Sequence, residues 1–240
     1  MDHDRSPQRL ARATGLLFLA LAVCGMFATT ALDGFVVVGD AAATAGNVRN
    51  ARSLFVVVLV AWTALVATDT AVSVALYLLL RRVDGPLALL AMAFRLVFSA
   101  LLAAAVTRLF DAYGLLTDPG RTARGTTAAE AEARALEAIA SFGTDFLFGL
   151  VVFGIHLLLV GVLLYSSAYV PRVLAVLVVA GGVGYVVDSL LGLLVAGHGG
   201  VVSTALLVPA ALGELGLMAW LLVKGVTTGR HHREKREEPA

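Results

Sequence analysis

Six stretches of the chain stay apolar for at least the thickness of a bilayer, and each is closed off by charges or by turn residues: 13–32, 53–80, 86–110, 143–166, 172–196 and 201–224. A helix needs ~20 residues to cross a hydrocarbon core of ~30 Å, and a longer one tilts or projects. The pattern therefore predicts an all-α fold, a six-helix transmembrane bundle. The stretch 53–80 stands out, because it carries one acid, Asp69, near its middle and stops at the pair Arg81-Arg82.

The polar intervals are read from their turn chemistry. Gly85 and Pro86 after Arg81-Arg82-Val-Asp end one helix and start the next. Residues 33–50 form a loop in which the alanine run 41–45 suits a short interfacial helix. The connector 111–142 contains the turn Asp118-Pro119-Gly120. Behind it, Thr127 and Glu130 have capping-box spacing, Glu130 reaches Arg134 at i,i+4, and Leu136 and Ile139 share a face. This interval predicts one short amphipathic surface helix outside the bundle. Residues 1–10 read as a polar tail, and 226–240 as a charged, disordered one in which His231-His232 is solvated. Ala180 and Gly184 make a small-xxx-small pair for close helix packing; Gly182-Val-Gly184 has no third glycine and no strand, so it is no dinucleotide fingerprint.

Composition agrees with the pattern. Hydrophobic residues are 59% and charged ones 15% of 240, with a mean hydropathy of +0.89, where soluble domains hold roughly 45–50% and 25%. One soluble core cannot hide that excess, so much of it faces lipid. A net charge of +1 argues against nucleic-acid binding. The single cysteine, Cys24, excludes an internal disulfide framework and a cysteine zinc cluster. Arg5, Arg9 and Arg12 before the first apolar run also fit a signal peptide, and Leu21-Ala22-Val23-Cys24 faintly fits a lipoprotein cleavage site, but Val23 is large for that position. An uncleaved first helix is the reading adopted. With both termini inside, eleven Lys and Arg fall on the cytoplasmic side against six outside, which predicts a cytoplasmic N-terminus and C-terminus.

That topology places the intramembrane polar residues by depth. At ~1.5 Å per residue, Asp69 lies about 18 Å, Arg95 about 13 Å, and His156 and Glu214 about 15 Å above their cytoplasmic helix ends. Asp188 lies about 24 Å up, with Tyr185 one turn below it. A charge at mid-bilayer costs at least ~2.5–3.5 kcal/mol, so such groups face the bundle interior and pair. Asp69 and Arg95, on consecutive helices, are the first choice for a buried ion pair. Glu214 and His156 are candidates for a second pair or a proton relay, and Tyr185 and Asp188 for a mutual hydrogen bond. Asp145, near an outer helix start, favours the helix dipole. Trp62, Tyr77, Tyr165, Tyr169 and Trp220 read mostly as interface or packing aromatics.

A set of ordered segments carries a resemblance: Gly39-Asp-Ala-Ala-Ala-Thr-Ala, Ala75-Leu-Tyr-Leu-Leu-Leu-Arg-Arg-Val, Leu87-Ala-Leu-Leu-Ala-Met-Ala-Phe-Arg95-Leu, Phe153-Gly-Ile-His156-Leu-Leu-Leu-Val-Gly, Pro171-Arg172, Gly184-Tyr-Val-Val-Asp188-Ser-Leu and Gly213-Glu214-Leu. In these, from about residue 10 to 225, the chain resembles a bacterial membrane family catalogued as domain of unknown function 4386. The resemblance implies a six-helix integral membrane protein of the bacterial plasma membrane and implies no activity. The long connector 111–142 departs from the tighter region expected there.

Three functions compete. The first is binding or conversion of a lipid or isoprenoid-like molecule within the bundle. Glu214, Asp69 and His156 are then the candidate acid–base residues, and Arg95, Tyr185 and Asp188 the candidate substrate-binding ones. A carboxylic acid kept protonated in an apolar pocket can protonate an olefin or epoxide, by analogy with membrane-embedded terpene cyclases. No aspartate-rich metal motif is present, which argues against magnesium-dependent ionisation of a diphosphate; no metal and no cofactor is expected. The second is a small proton-coupled carrier using Glu214 and His156, although the halves show no internal repeat. The third is a structural or regulatory membrane partner with the polar set as glue. Membrane lipids and a hydrophobic small molecule are the expected partners.

Overall fold

Each interruption of the apolar pattern is a capped helix end. The computed structural model describes residues 5–118, 120, 126–167 and 169–226. These form seven helices: α1 Arg5–Asp33, α2 Ala41–Asn50, α3 Arg52–Leu80, α4 Gly85–Thr117, α5 Ala128–Ser166, α6 Arg172–Leu194 and α7 Gly200–Val223. All but α2 are long and apolar enough to cross a membrane. Large apolar side chains such as Met26, Val173, Leu194 and Val201 stay more than 70% exposed, which suits lipid and not water.

The six long helices pack in chain order around a ring, each against the next, and α1 closes the ring against α7. α1 starts and α7 ends on the same face, here the terminal face. There Gln8 Nε2 donates to the Val226 carbonyl at 2.6 Å, and Gly15 lets α1 lie against Leu222, whose Cγ would stand 2.8 Å from a Cβ at that position. The α3–α4 turn lies on this face too. Asp84 caps α4 by accepting from the Leu87 N–H at 3.0 Å, with Pro86 in the first turn.

α6 is held by backbone proximity. A Cβ on Gly182 would stand 2.8 Å from the Gly154 carbonyl of α5, and one on Gly181 would stand 2.5 Å from the Ala210 Cα of α7. A Cβ on Gly184 would collide with the Leu206 carbonyl. Of the predicted pair Ala180 and Gly184, Gly184 lies at a close approach, and Gly181 and Gly182 make the others. α7 packs on both α6 and α1, and Val201, Val202 and Val208 in its first half are exposed.

Two expectations about the opposite, far face are corrected. The capping box at Thr127 and Glu130 forms, but the helix it starts does not stop in the headgroups: α5 runs unbroken from Ala128 to Ser166, 39 residues. The extra short helix of the fold is α2, capped by Asp40 on the Ala43 N–H at 2.8 Å. It packs on α5, and Arg49 pairs with Glu132 at 2.7 Å. α4 likewise continues to Thr117, so Asp145 lies mid-helix. It pairs with Arg108 at 3.2 Å instead of facing a helix dipole. The turn at Pro119, the basic residues Arg121 and Arg124, and the tail with His231 and His232 lie outside the described residues.

Candidate functional site

Asp69 and Arg95 lie 13 residues on either side of Arg82, so an antiparallel hairpin brings them level. Arg95 is fully buried. Its Nε and Nη2 donate to Asp69 Oδ1 at 3.0 and 2.6 Å, and its Nη1 donates to His156 Nε2 at 3.1 Å. The guanidinium lies between the rings of Phe18 and Phe153, 5.4 and 5.1 Å from their centroids. The other Asp69 oxygen accepts from the Ser99 hydroxyl at 2.5 Å. Ala91, Arg95 and Ser99 form one stripe of α4 at i,i+4, and each contributes an atom to this network.

His156 is pinned at both ring nitrogens. Nδ1 lies 2.8 Å from the Ala91 carbonyl, which only accepts, so Nδ1 carries the proton. Nε2 faces a guanidinium, which only donates, so it is the bare nitrogen. The imidazole is therefore neutral and satisfied, with no nitrogen left for relaying a proton to Glu214. Asp69, Arg95, His156 and Ser99 together form a closed set with zero net charge.

Glu214 sits apart from that set. It shares a cavity wall with Tyr185 of α6 and lies within Coulombic reach of Tyr185, Arg95 and Asp69. Among the described residues it has no salt-bridge partner. Tyr185 thus neighbours Glu214, and the expected Tyr185–Asp188 hydrogen bond does not form. Asp188 turns instead to His198 in the α6–α7 turn, at 2.7 Å. The sequence-predicted residues thus divide into Asp69–Arg95–His156, Glu214–Tyr185 and Asp188–His198.

Next to the first two groups is a cavity of about 400 Å³, walled by Asp69, Glu214, Tyr185, Trp62, Phe146 and Phe153 among others. Its remaining wall comes from α1 and α7, with Phe18, Met26, Leu215 and Met218. Met26 and Leu215 are exposed on the bundle exterior. A second, almost wholly apolar groove of about 700 Å³ shares Ala22, Met26, Leu215 and Met218 with it. The cavity thus opens sideways between α1 and α7, onto a surface suited to acyl chains. A third space, of about 590 Å³, adjoins it towards the far face through Thr29 and Phe146 and contains Asp33.

Residues 13–225, nearly the whole bundle, match the family described as Domain of unknown function (DUF4386). The chain belongs to this family. A DUF4386 domain here is a multi-pass membrane domain of unknown function. An uncharacterized protein from Archaeoglobus fulgidus is 29% identical over 161 residues, which cover 67% of this chain and 79% of that one. No solved structure matches the chain.

Four residues of these sites were not among the sequence candidates. Trp62 precedes Asp69 by seven residues and so shares its helix face, a signal that was available; it is buried in the cavity wall and not at an interface. Ser99 follows Arg95 by four, so its place was also legible. Phe18 and His198 carry no such mark, because their roles depend on how α1 and the α6–α7 turn come round to meet other helices.

Proposed function

We propose that this protein binds an isoprenoid- or lipid-like molecule inside the bundle, with Glu214 as the acid–base group that faces it. The observation that carries the reading is the sideways-open apolar cavity ending at a carboxyl group with no salt-bridge partner among the described residues. Buried carboxyl groups are normally paired or hydrogen-bonded, and the Asp69–Arg95–His156 set leaves Glu214 outside its own neutralisation. The closed set is scaffolding in this reading: it fixes the inner wall from α3, α4 and α5, and neither Asp69 nor His156 exchanges a proton with a ligand. The membrane is the plasma membrane of a prokaryotic cell, with the terminal face cytoplasmic, in keeping with the excess of Lys and Arg on that side.

The test is lipid extraction and mass spectrometry of the purified full chain beside Glu214→Gln. A discrete hydrophobic compound enriched with the parent protein and lost from the variant is the expected result. Equal extracts from both, containing only bulk lipid, would overturn the reading. A proton-coupled carrier is the second reading, favoured by the space that adjoins the cavity towards Asp33 and the far face. It requires Glu214-dependent proton flux in proteoliposomes.

A further inference from the structure

The sign of the groups lining the cavity narrows the ligand class, and this step rests on the binding reading above. The ionisable residues in the wall are Asp69, Glu214 and Tyr185; none of the lining residues is Lys, Arg or His. Arg95 is close but fully buried behind Phe18 and Phe153, with its bonds going to Asp69 and His156. The Trp62 Nε1–H is buried without a partner, and as a neutral donor it supplies no charge to offset an anion. An anionic headgroup entering here would meet two carboxyl groups and no accessible cation.

The aromatic content points the same way. Trp62, Phe146 and Tyr185 join Phe153, Phe98 and Phe18 around a space whose one unneutralised group is a carboxyl. Aromatic faces carry negative potential and attract cations, quaternary ammonium groups among them. The protein already uses this chemistry beside the cavity, where the Arg95 guanidinium lies over two of the same rings. The groove outside is apolar enough for a hydrocarbon tail.

We infer that the cavity takes a lipophilic cation, a molecule with an apolar chain or ring system and one ammonium group. The nitrogen lies against the Glu214 carboxylate and the aromatic wall, and the tail runs out between α1 and α7 into the groove. Tyr185 lines the same wall and adds its ring to the aromatic face. Asp69 adds little attraction, because Arg95 already neutralises it.

The test uses the full chain in zwitterionic-lipid nanodiscs, with Trp220→Phe as background so that Trp62 is the remaining tryptophan of the two. Three probes of equal chain length are titrated against Trp62 fluorescence: dodecyltrimethylammonium, dodecanol and dodecanoate. The expected result is saturable binding of the ammonium at a concentration at least tenfold below either other probe. Glu214→Gln should raise that concentration tenfold or more, while Glu214→Asp, which keeps the charge, should retain most of the affinity. Size-exclusion profiles of both variants separate loss of binding from loss of fold. Saturable binding of dodecanol or dodecanoate as tight as that of the ammonium would overturn this inference and leave the binding reading standing. The same holds for ammonium binding that Glu214→Gln leaves unchanged. No saturable binding of any probe would overturn both.

Discussion

Replacing Arg95 with Met removes three hydrogen bonds at once, two to Asp69 and one to His156. It leaves the apolar stem roughly filled, so the cavity term is small. What remains is a buried carboxylate whose only bond is to Ser99. Single hydrogen bonds within membranes average about 0.6 kcal/mol, so three lost bonds alone would cost only about 2 kcal/mol. Stranding a buried charge is the larger effect: breaking a buried pair from one side costs about 3–5 kcal/mol. The latter figure governs, because Asp69 is only 1% exposed. At about 1.4 kcal/mol per tenfold, the folded-to-unfolded ratio should fall by two to more than three decades. The assay is equilibrium unfolding in mixed dodecyl maltoside and SDS micelles, followed by far-UV circular dichroism. The double variant Asp69→Leu with Arg95→Met is the decisive control. It removes both charges and leaves only His156 Nε2 without its donor, so it should lose about 1–3 kcal/mol and be more stable than Arg95→Met alone. A loss below about 1 kcal/mol for Arg95→Met, or a double variant weaker than the single, would refute the argument that this pair is held by mutual neutralisation.

Glycine substitutions should separate by what their Cβ meets. Gly182→Ala meets the Gly154 carbonyl and the Leu158 nitrogen and should cost about 1–3 kcal/mol by overpacking. Gly46→Ala, inside α2 with nothing within 4 Å, should stabilise by about 0.5–1 kcal/mol; the same unfolding titration reads both, and a swap of the two signs would contradict the helix packing. Thr127→Ala removes the capping box of α5 and should cost about 1 kcal/mol, with amide hydrogen exchange accelerating in residues 128–131 and not beyond residue 145.

The α3–α4 hairpin and its ion pair were legible in the sequence because the geometry is one-dimensional. Two residues equidistant from a turn meet if the helices are antiparallel, and burial selects the meeting of opposite charges. The same arithmetic put His156 and Glu214 at the right depth but could not say which would meet Arg95, since depth leaves rotation about each helix axis free. His156 won because α5 packs directly against α4, whereas α7 lies across the ring. The surface helix was misplaced for a different reason. Glu130, Glu132, Arg134 and Glu137 lower the apolar content of 128–142, and a reading by span stops where lipid stops. Hydrogen bonding along a helix does not stop there. At ~1.5 Å per residue α5 is about 58 Å long, nearly twice the ~30 Å hydrocarbon core, and its projecting turns are covered by α2 instead of lying flat on the membrane.

The distinction that matters most for function lies below the level at which depth or composition works. Four ionisable residues at one level look equivalent in the sequence, and any of them suits catalysis, transport or glue. Counting donors and acceptors separates them. Asp69 accepts from Arg95 and Ser99, Arg95 gives to Asp69 and His156, and His156 is bonded at both nitrogens. Groups whose charges and ring nitrogens are already matched to one another offer a ligand little unless the bundle opens. Glu214 is the member with no salt-bridge partner among the described residues, and it is also the member that shares its cavity with the path between α1 and α7. A purely stabilising role would favour pairing such a carboxyl group, and the proposal that its partner arrives from the membrane rests on that contrast.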